Sequence, residues 1–218
     1  MPSSQDHPDV HVLLGSRSPS LGDKAVQSIL SEVPGAKIEA LQIDVSDDAS
    51  VAAAAAAVAA KYEEAAPLYG LVNNAGVGFG KSIPDTIAVN TYGPKRVCDA
   101  FFPLIDPAAG RVCNIASASG PMFVRGLDAE QQELFCSPQT TWEQLEAVLK
   151  QYSAVTDYEG IAYGLSKASL NVLTMQQAAA HPALQINSCS PGYILTDITR
   201  GMGATNPPEK SVRAPRGE

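Results

Sequence analysis

Histidine, aromatic residues and positive charge are all scarce in this 218-residue sequence. Aromatic residues make up 6% of the chain, and there are three histidines. His7 and His181 stand beside prolines and His11 begins a predicted strand, so neither a histidine-based triad nor a zinc site is predicted. The 15 Lys and Arg are outnumbered by 23 Asp and Glu, which gives a formal net charge of −8. Because nucleic-acid-binding proteins concentrate Lys and Arg, we expect no nucleic-acid partner.

Long apolar runs are also missing. The longest, residues 51–60, is alanine-rich and shorter than the roughly 20 residues that cross a bilayer. Residues 1–9 lack the basic start and apolar core of a signal peptide. We therefore expect no membrane partner and a cytoplasmic protein. The cysteines have no metal-ligand spacing, so reduced structural thiols are expected and no metal is predicted. They are Cys98, Cys113, Cys136 and Cys189.

The apolar pattern alternates between short strands and helical stretches. A strand is predicted at 10–14, a helix that ends before Pro34-Gly35, and a second strand across 41–45. Alternation of this kind is typical of an α/β fold with a parallel sheet. With 45% apolar residues, the chain is long enough for one domain, which we place at 10–206. Residues 1–9 are then a polar N-terminal tail and residues 207–218 a flexible C-terminal tail.

The most informative stretch, residues 161–170, places Tyr163 and Lys167 four residues apart in an apolar, helix-compatible run. At this spacing two side chains share one face of a helix. A lysine beside a tyrosine favours the phenolate, so the pair forms a hydroxyl that exchanges protons near neutral pH. Taken alone, a Tyr-x-x-x-Lys pattern more often marks a surface tyrosine and lysine on an amphipathic helix.

Further motifs accompany this pair in a fixed order. Asn73-Asn74-Ala75-Gly76 follows one predicted strand, Ser117 follows a second and Pro191-Gly192 a third, with Asn90 between the first two. Together these motifs resemble the short-chain dehydrogenase/reductase family, in particular its carbonyl reductase branch, over roughly residues 9 to 206. The resemblance implies an α/β fold with a Rossmann-like, three-layer, doubly wound parallel sheet. It also implies an NADP-dependent oxidoreductase that reduces a small-molecule ketone, aldehyde or quinone.

The resemblance assigns four catalytic residues. Tyr163 protonates the carbonyl oxygen, and Lys167 lowers the pKa of Tyr163 and orients the cofactor ribose. Ser117 polarises the carbonyl, with Ser119 as a neighbour that could be confused with it. Asn90 holds a water that connects the lysine to bulk solvent. Most family members have a serine where this chain has Ala116.

Two early strands supply predicted cofactor contacts. Arg17 stands at the carboxyl end of the first strand, where ligands bind in open α/β sheets, and the resemblance implies that it meets the 2′-phosphate of NADP. A solvated turn arginine is the alternative. The resemblance also implies that Asp44 and Val45 line the adenine. Asp44 could instead simply cap the following helix.

The later cofactor contacts follow from the resemblance as well. Asn74, Ala75 and Gly76 are expected to touch the adenine ribose and to stabilise the central sheet. The nicotinamide side is expected to be lined by four residues. They are Pro191, Gly192, Tyr193 and Thr196.

An insert at about residues 121–158 separates Ser117 from Tyr163. It contains its own helical pattern, with Thr140 and Glu143 as a possible capping box. A similar insert marks monomeric carbonyl reductases, where it covers a helix face that tetrameric members use for association. We therefore expect a monomer, with a lid or a dimerisation element as the rival interpretation.

Two parts of the family pattern have no match in the sequence: the first strand with its glycine-rich turn, and the last helix and strand. The two strands that flank the first one could pair directly, or leave a gap, or the sequence could be the product of an incomplete gene model or a splice form. The alternative function is accordingly an inactive or truncated member that does not bind the dinucleotide productively. An epimerase or dehydratase that uses the same tyrosine and lysine is a third hypothesis.

Overall fold

A computed structural model of the chain describes residues 10–62, 65–154, 161–196 and 199–208. The predicted tails at 1–9 and 207–218 lie outside these residues, apart from Pro207 and Pro208. The strands are β1 (His11–Ser16), β2 (Lys37–Gln42), β3 (Gly70–Asn73), β4 (Arg111–Ile115) and β5 (Gln185–Cys189). All pairings between them are parallel: β1 pairs with β2, and β3, β4 and β5 follow one another in a second sheet.

Helices alternate with these strands along the chain, as the apolar pattern predicted. They are α1 (Pro19–Glu32), α2 (Asp48–Lys61), α3 (Ile83–Ile87), α4 (Gly93–Phe101), α5 (Ser119–Arg125), α6 (Ala129–Cys136), α7 (Trp142–Ser153) and α8 (Ile161–Ala180). Successive side chains of β2 point to opposite faces: Ala40 lies next to Gly22 of α1, while Leu41 packs in the apolar cluster of α2. Helices therefore cover both faces of β2, and the doubly wound, Rossmann-like fold is confirmed.

The two sheets share one layer of helices. Leu13 of β1 and Leu71 of β3 both pack against the cluster that Val58 of α2 and Val97 of α4 help to form. Within the described ranges, however, β1 pairs only with β2 and β3 only with β4. The alternative in which β1 and β3 pair directly is therefore wrong, and a gap separates them. The Val72 side chain on β3 is 62% exposed.

The boundaries of β2 differ from the prediction. The strand ends at Gln42 rather than at Val45, because the chain turns at Asp44. The Asp44 carboxylate accepts hydrogen bonds from the backbone N–H of Ser46 at 2.9 Å and from its hydroxyl at 2.6 Å. Asp47 then caps α2 by accepting from Ser50 N at 2.7 Å. The helix-capping alternative for Asp44 is therefore wrong.

Residues 84–105 change helix type along their length. After α3 comes a π-helical turn, Ala88–Tyr92, followed by α4 and a 3-10 turn, Phe102–Leu104. Pro94 lies in the first turn of α4, where its missing N–H costs little. Asn90 is in the middle of the π-helical turn, and such turns are frequent at functional sites.

The insert forms most of α5, together with α6 and α7. The helical pattern of α7 is confirmed, but its capping box is Thr141 with Gln144, one residue later than predicted. Thr140 is buried instead, and its hydroxyl donates to Leu134 O at 2.6 Å. Leu145 and Leu149 of α7 are fully buried in a cluster with residues of α3 and α8, so the insert covers the outer faces of those helices.

Candidate active site

Helix α8 presents Tyr163 and Lys167 on one face. Its buried apolar residues, among them Leu165 and Val172, pack against α3 and α7 and fix the rotation of the helix. The Nζ atom of Lys167 lies 5.7 Å from the centre of the Tyr163 ring. The predicted shared face is therefore present.

Close contact between α5 and α8 brings the loop after β4 to this face. A Cβ atom added to Gly120 would lie 2.9 Å from the backbone N of Ala168. One added to Gly164 would lie 2.9 Å from the Cβ of Phe123. The two helices therefore meet through glycines that the sequence analysis gave no role in packing. The sequence signal for this helix contact was the pair Gly120 and Gly164, since glycines near two motif residues indicate that two backbones approach closely.

Ser117 is the serine that reaches the phenol. Its side chain lies near the Tyr163 phenol and favours the ionised form of that phenol. The Ser117 hydroxyl also accepts from the backbone N–H of Ser119 at 3.2 Å and donates to the Ser119 hydroxyl at 3.3 Å. Ser119 opens α5 and thereby orients Ser117. The structure thus brings together Ser117, Tyr163 and Lys167.

The electrostatics of the pair differ from the expectation. Burial raises the pKa of the Tyr163 phenol above its ordinary value of 10.0, and the nearby Ser117 side chain offsets this rise only in part. The Lys167 ammonium donates to the backbone carbonyl of Ile115 at 2.6 Å. The net shift of the Tyr163 pKa is therefore upward, opposite to the expected lowering, because burial outweighs the other effects on the phenol.

Lys167 itself is the strongly perturbed base of the site. Its residue is 6% exposed. Burial lowers the pKa of its amine from 10.5 to about 8. An amine with such a pKa exchanges protons close to neutral pH, which is typical of functional sites.

Asn90 ties the loop after β3 to the same helix. Its Nδ2 donates to Val77 O at 3.0 Å and to the Ser166 hydroxyl at 3.1 Å, while its Oδ1 accepts from Val77 N at 2.8 Å. A Cβ atom on Gly76 would lie 3.3 Å from Asn90 Oδ1 and 3.9 Å from Lys167 Nζ. The loop therefore passes closely over the lysine, and only a glycine fits there without displacement.

The sheet is stabilised by Asn73 rather than by the three residues that follow it. Asn73 Nδ2 donates to Asn114 Oδ1 at 2.8 Å, across from β3 to β4. Asn114 Nδ2 donates in turn to Thr174 Oγ1 at 2.9 Å and to Gln177 Oε1 at 3.0 Å on α8. The predicted stabilising role of the next residues is corrected accordingly, and two of them, Asn74 and Ala75, are exposed. This buried network links both sheet strands to α8.

Arg17 and Asp44 lie at the carboxyl edge of the first sheet. Arg17 is exposed immediately after β1. The hydrogen bonds from Ser46 lower the pKa of the Asp44 carboxyl, and the nearby positive charges of Arg17 and Arg96 lower it further. Val45 packs against Gly93, where an added Cβ would lie 3.1 Å from Val45 Cγ2. The predicted adenine end is thus assembled on one edge.

The predicted nicotinamide segment follows β5. Gly192 has φ +89°, a conformation that favours glycine. The Tyr193 hydroxyl donates to Met202 O, and the Thr196 N–H donates to Thr199 Oγ1 at 2.9 Å. Cys189, just before this segment, accepts from Ala116 N at 2.8 Å and so connects it to the loop of Ser117.

Other kinds of site find no support in the part of the chain that the structure describes. No group of three or more His, Cys, Asp or Glu side chains in those ranges could hold a metal ion. Within the same residues, no helix combines the length and the apolar character of a membrane span. The cysteines, all four of them described, are free thiols.

Comparison with known proteins shows which family shares this Rossmann-like fold and motif order. The sequence model of the short chain dehydrogenases matches residues 6–129. The chain belongs to the short-chain dehydrogenase/reductase family.

Several characterised relatives are similar over most of their length. The chain is 29% identical to (+)-neomenthol dehydrogenase of Arabidopsis thaliana, over 89% of this chain and 78% of that protein. It is also 29% identical to human carbonyl reductase [NADPH] 1, over 94% of this chain and 79% of that protein. Among solved structures, salutaridine reductase of Papaver somniferum has a TM-score of 0.80 at 22% identity, covering 94% of this chain and 85% of that one. NADPH-bound carbonyl reductase from chicken fatty liver has a TM-score of 0.62 at 24% identity, covering 86% and 70%.

Proposed function

We propose that the protein is an NADP-dependent carbonyl reductase that converts a ketone, aldehyde or quinone to an alcohol, with Tyr163 as the general acid. The observation that carries the proposal is the cluster of three side chains: Lys167 Nζ lies 5.7 Å from the centre of the Tyr163 ring, and Ser117 lies near the phenol. A carbonyl oxygen placed between the two hydroxyls would receive two hydrogen bonds as negative charge develops on it. The relatives named as carbonyl reductases support this choice of reaction.

The proton chemistry follows from the environment of each side chain. Because burial keeps the phenol protonated, Tyr163 holds the proton that the product alcohol needs. Lys167, when charged, places a cation beside the ring and stabilises the phenolate that remains after transfer. Ser117 orients the carbonyl toward the phenol. Asn90 holds the Val77 backbone and so keeps the loop after β3 over the lysine; its role in a water relay stays a prediction.

The edge residues fit an NADP molecule at the adenine end. The exposed Arg17 guanidinium suits a 2′-phosphate, because it binds such a group through two parallel hydrogen bonds. Asp44 lies near Arg17, whose positive charge helps to lower the pKa of its carboxyl, and the backbone at Gly76 passes close to Lys167. We therefore assign Asn74, Ala75 and Gly76 to the ribose. We assign Pro191, Gly192, Tyr193 and Thr196 to the nicotinamide. When bound, NADPH supplies the hydride.

We also propose that the protein is a monomer, because α7 already covers α3 and α8 with buried leucines. A location in the cytoplasm stays a prediction.

A second candidate function has one specific observation in its favour. The gap between β1 and β3 divides the sheet at the place where a dinucleotide would cross from Arg17 to Lys167. A protein of this kind would keep the catalytic cluster but bind the cofactor too weakly for turnover.

One experiment separates the two candidates. The purified chain is titrated with NADPH while cofactor fluorescence is followed, and oxidation of NADPH is then measured after a quinone is added. The carbonyl reductase proposal predicts saturable binding and quinone-dependent oxidation that Tyr163→Phe abolishes. No binding at millimolar NADPH would overturn it in favour of the non-binding protein. Turnover of a substrate without net consumption of NADPH would instead favour an epimerase or dehydratase.

A further inference from the structure

Cys113 and Cys189 bring two thiols into contact on neighbouring strands. The Cys113 thiol donates to Cys189 Sγ at a sulfur–sulfur distance of 3.5 Å. In the parallel register Cys113 lies opposite Asn187 and Ile115 lies opposite Cys189. The two cysteines are therefore diagonal neighbours on one face of the sheet. Their sulfurs touch but are not bonded, since a disulfide bond is about 2.05 Å long.

This face is open to small reagents. Cys189 is exposed and Cys113 is half-buried. The residues opposite Cys113 on the two adjacent strands, Val72 and Asn187, are both exposed as well. A soluble thiol or disulfide can therefore approach Cys189 directly, with Cys113 next to it.

We propose that Cys113 and Cys189 form a modification site at which a low-molecular-weight disulfide, such as glutathione disulfide, oxidises the two thiols to an intramolecular disulfide. Cys189, as its thiolate, attacks one sulfur of glutathione disulfide; a Cys189–glutathione disulfide forms and one glutathione leaves. Cys113 then loses its proton and attacks Cys189 Sγ, and the second glutathione leaves and takes up a proton. Two protein thiols are oxidised and one glutathione disulfide is reduced to two glutathiones.

The surroundings of the two thiols explain why Cys189 reacts first and Cys113 second. Burial raises the pKa of the Cys113 thiol to about 11, so this thiol is protonated near neutral pH and is the slower of the two to attack a disulfide. Cys189 is the exposed member of the pair. Cys136 is exposed too, on α6, and it is not part of the Cys113–Cys189 contact.

Closing the bond strains the end of β5. A strand spacing of about 4.8 Å and a rise of about 3.3 Å per residue place diagonal Cα atoms about 8 Å apart. A disulfide spans at most about 7 Å between Cα atoms, so Cys189 must move toward β4. Cys189 O accepts the hydrogen bond from Ala116 N, and Pro191-Gly192 follows two residues later. A strained disulfide of this kind is also reduced readily.

The primary test maps the disulfide and needs no cofactor. The reduced chain is treated with glutathione disulfide, free thiols are blocked, and the peptides are analysed by mass spectrometry. We expect a peptide carrying Cys113 joined to one carrying Cys189 in the parent protein, with glutathione retained on Cys136. In Cys113→Ser we expect glutathione to remain on Cys189. Retention of glutathione on Cys189 in the parent, as in Cys113→Ser, would overturn the proposal, and so would no reaction at Cys189 while Cys136 reacts.

A second measurement tests the effect on the segment after β5, and it rests on the proposed function. NADPH affinity is compared between the reduced and the oxidised parent, with Cys113→Ser and Cys189→Ser treated in the same way. We expect the oxidised parent to bind NADPH at least about 3-fold more weakly, and dithiothreitol to restore the affinity. If the reduced protein binds no NADPH, the proposed function fails. The mapping of the disulfide by mass spectrometry still tests the proposed modification site. Equal affinity of both forms would overturn the predicted movement at Pro191-Gly192.

Discussion

The proposed catalytic cluster and the proposed cofactor edge are built in different ways. Ser117, Tyr163 and Lys167 come from two elements, the loop after β4 and helix α8, which glycines hold in direct contact. Arg17 and Asp44 stand on the β1–β2 sheet, which shares helices but no hydrogen bonds with the sheet that carries Ser117. A cluster set by one helix crossing is pre-organised, whereas an edge divided between two sheets depends on the packing of the helices beneath them.

The largest expected effect is that of Tyr163→Phe. Removing the hydroxyl removes the general acid and leaves the ring, so kcat should fall by about 10²- to 10⁴-fold. The dissociation constant for NADPH, measured by fluorescence titration, should change little, since the cofactor edge is untouched. Tyr152→Phe, on α7, is the matched control and should keep the parent's kcat. Equal kcat in Tyr163→Phe and the parent would remove the catalytic role of the cluster.

Next in size is the difference between two serines. Ser117→Ala loses the donor beside the phenol and should lower kcat by about 10²- to 10³-fold. Ser119→Ala keeps that donor and should lower kcat only a few-fold, because Ser119 acts through Ser117. Steady-state kinetics with one quinone at saturating NADPH measures both variants. A larger loss in Ser119→Ala than in Ser117→Ala would show that the wrong serine has been assigned.

Arg17→Ala tests the cofactor edge. Loss of a charged hydrogen-bonding partner should weaken NADPH binding by roughly 10- to 100-fold while NADH binding changes little. Arg125→Ala, an exposed arginine at the end of α5, is the matched control and should leave both affinities unchanged. If NADPH and NADH lose affinity equally in Arg17→Ala, the arginine does not select the phosphate.

The smallest effect concerns stability. The pKa of Lys167 is about 8 in the folded protein and 10.5 as its ordinary value, so the folded state binds fewer protons between these values. The burial cost is therefore fully present below about pH 8 and is lost as pH rises toward 10.5. Lys167→Met should raise the free energy of unfolding at pH 7 by roughly 1–2 kcal/mol, after allowance for the lost bond to Ile115 O.

Chemical denaturation at pH 7, 8.5 and 10 measures this effect. The advantage of Lys167→Met should shrink as pH rises. Lys24→Met, an exposed lysine on α1, should stay within about 0.5 kcal/mol of the parent at every pH. An advantage of Lys167→Met that stays constant with pH would show that burial of the charge is not its cause.

Motif spacing predicted the elements and the meeting of Tyr163 with Lys167, because helical periodicity is a local property of the chain. Motif spacing could not predict the direction of the Tyr163 pKa shift, since that shift depends on how deeply the tertiary structure buries the ring. The capping box was placed one residue early because Thr140 and Thr141 offer the same chemistry, and only packing decides which is buried. The contact between Cys113 and Cys189 depends on the strand register, which motif reasoning did not address.

The most direct test of the account is a double-mutant cycle of Ser117→Ala and Tyr163→Phe on kcat for carbonyl reduction. If the two hydroxyls act on one carbonyl oxygen as a unit, the double variant should be about as slow as Tyr163→Phe alone. If the two fold-losses multiply instead, Ser117 and Tyr163 act independently and the central claim is contradicted.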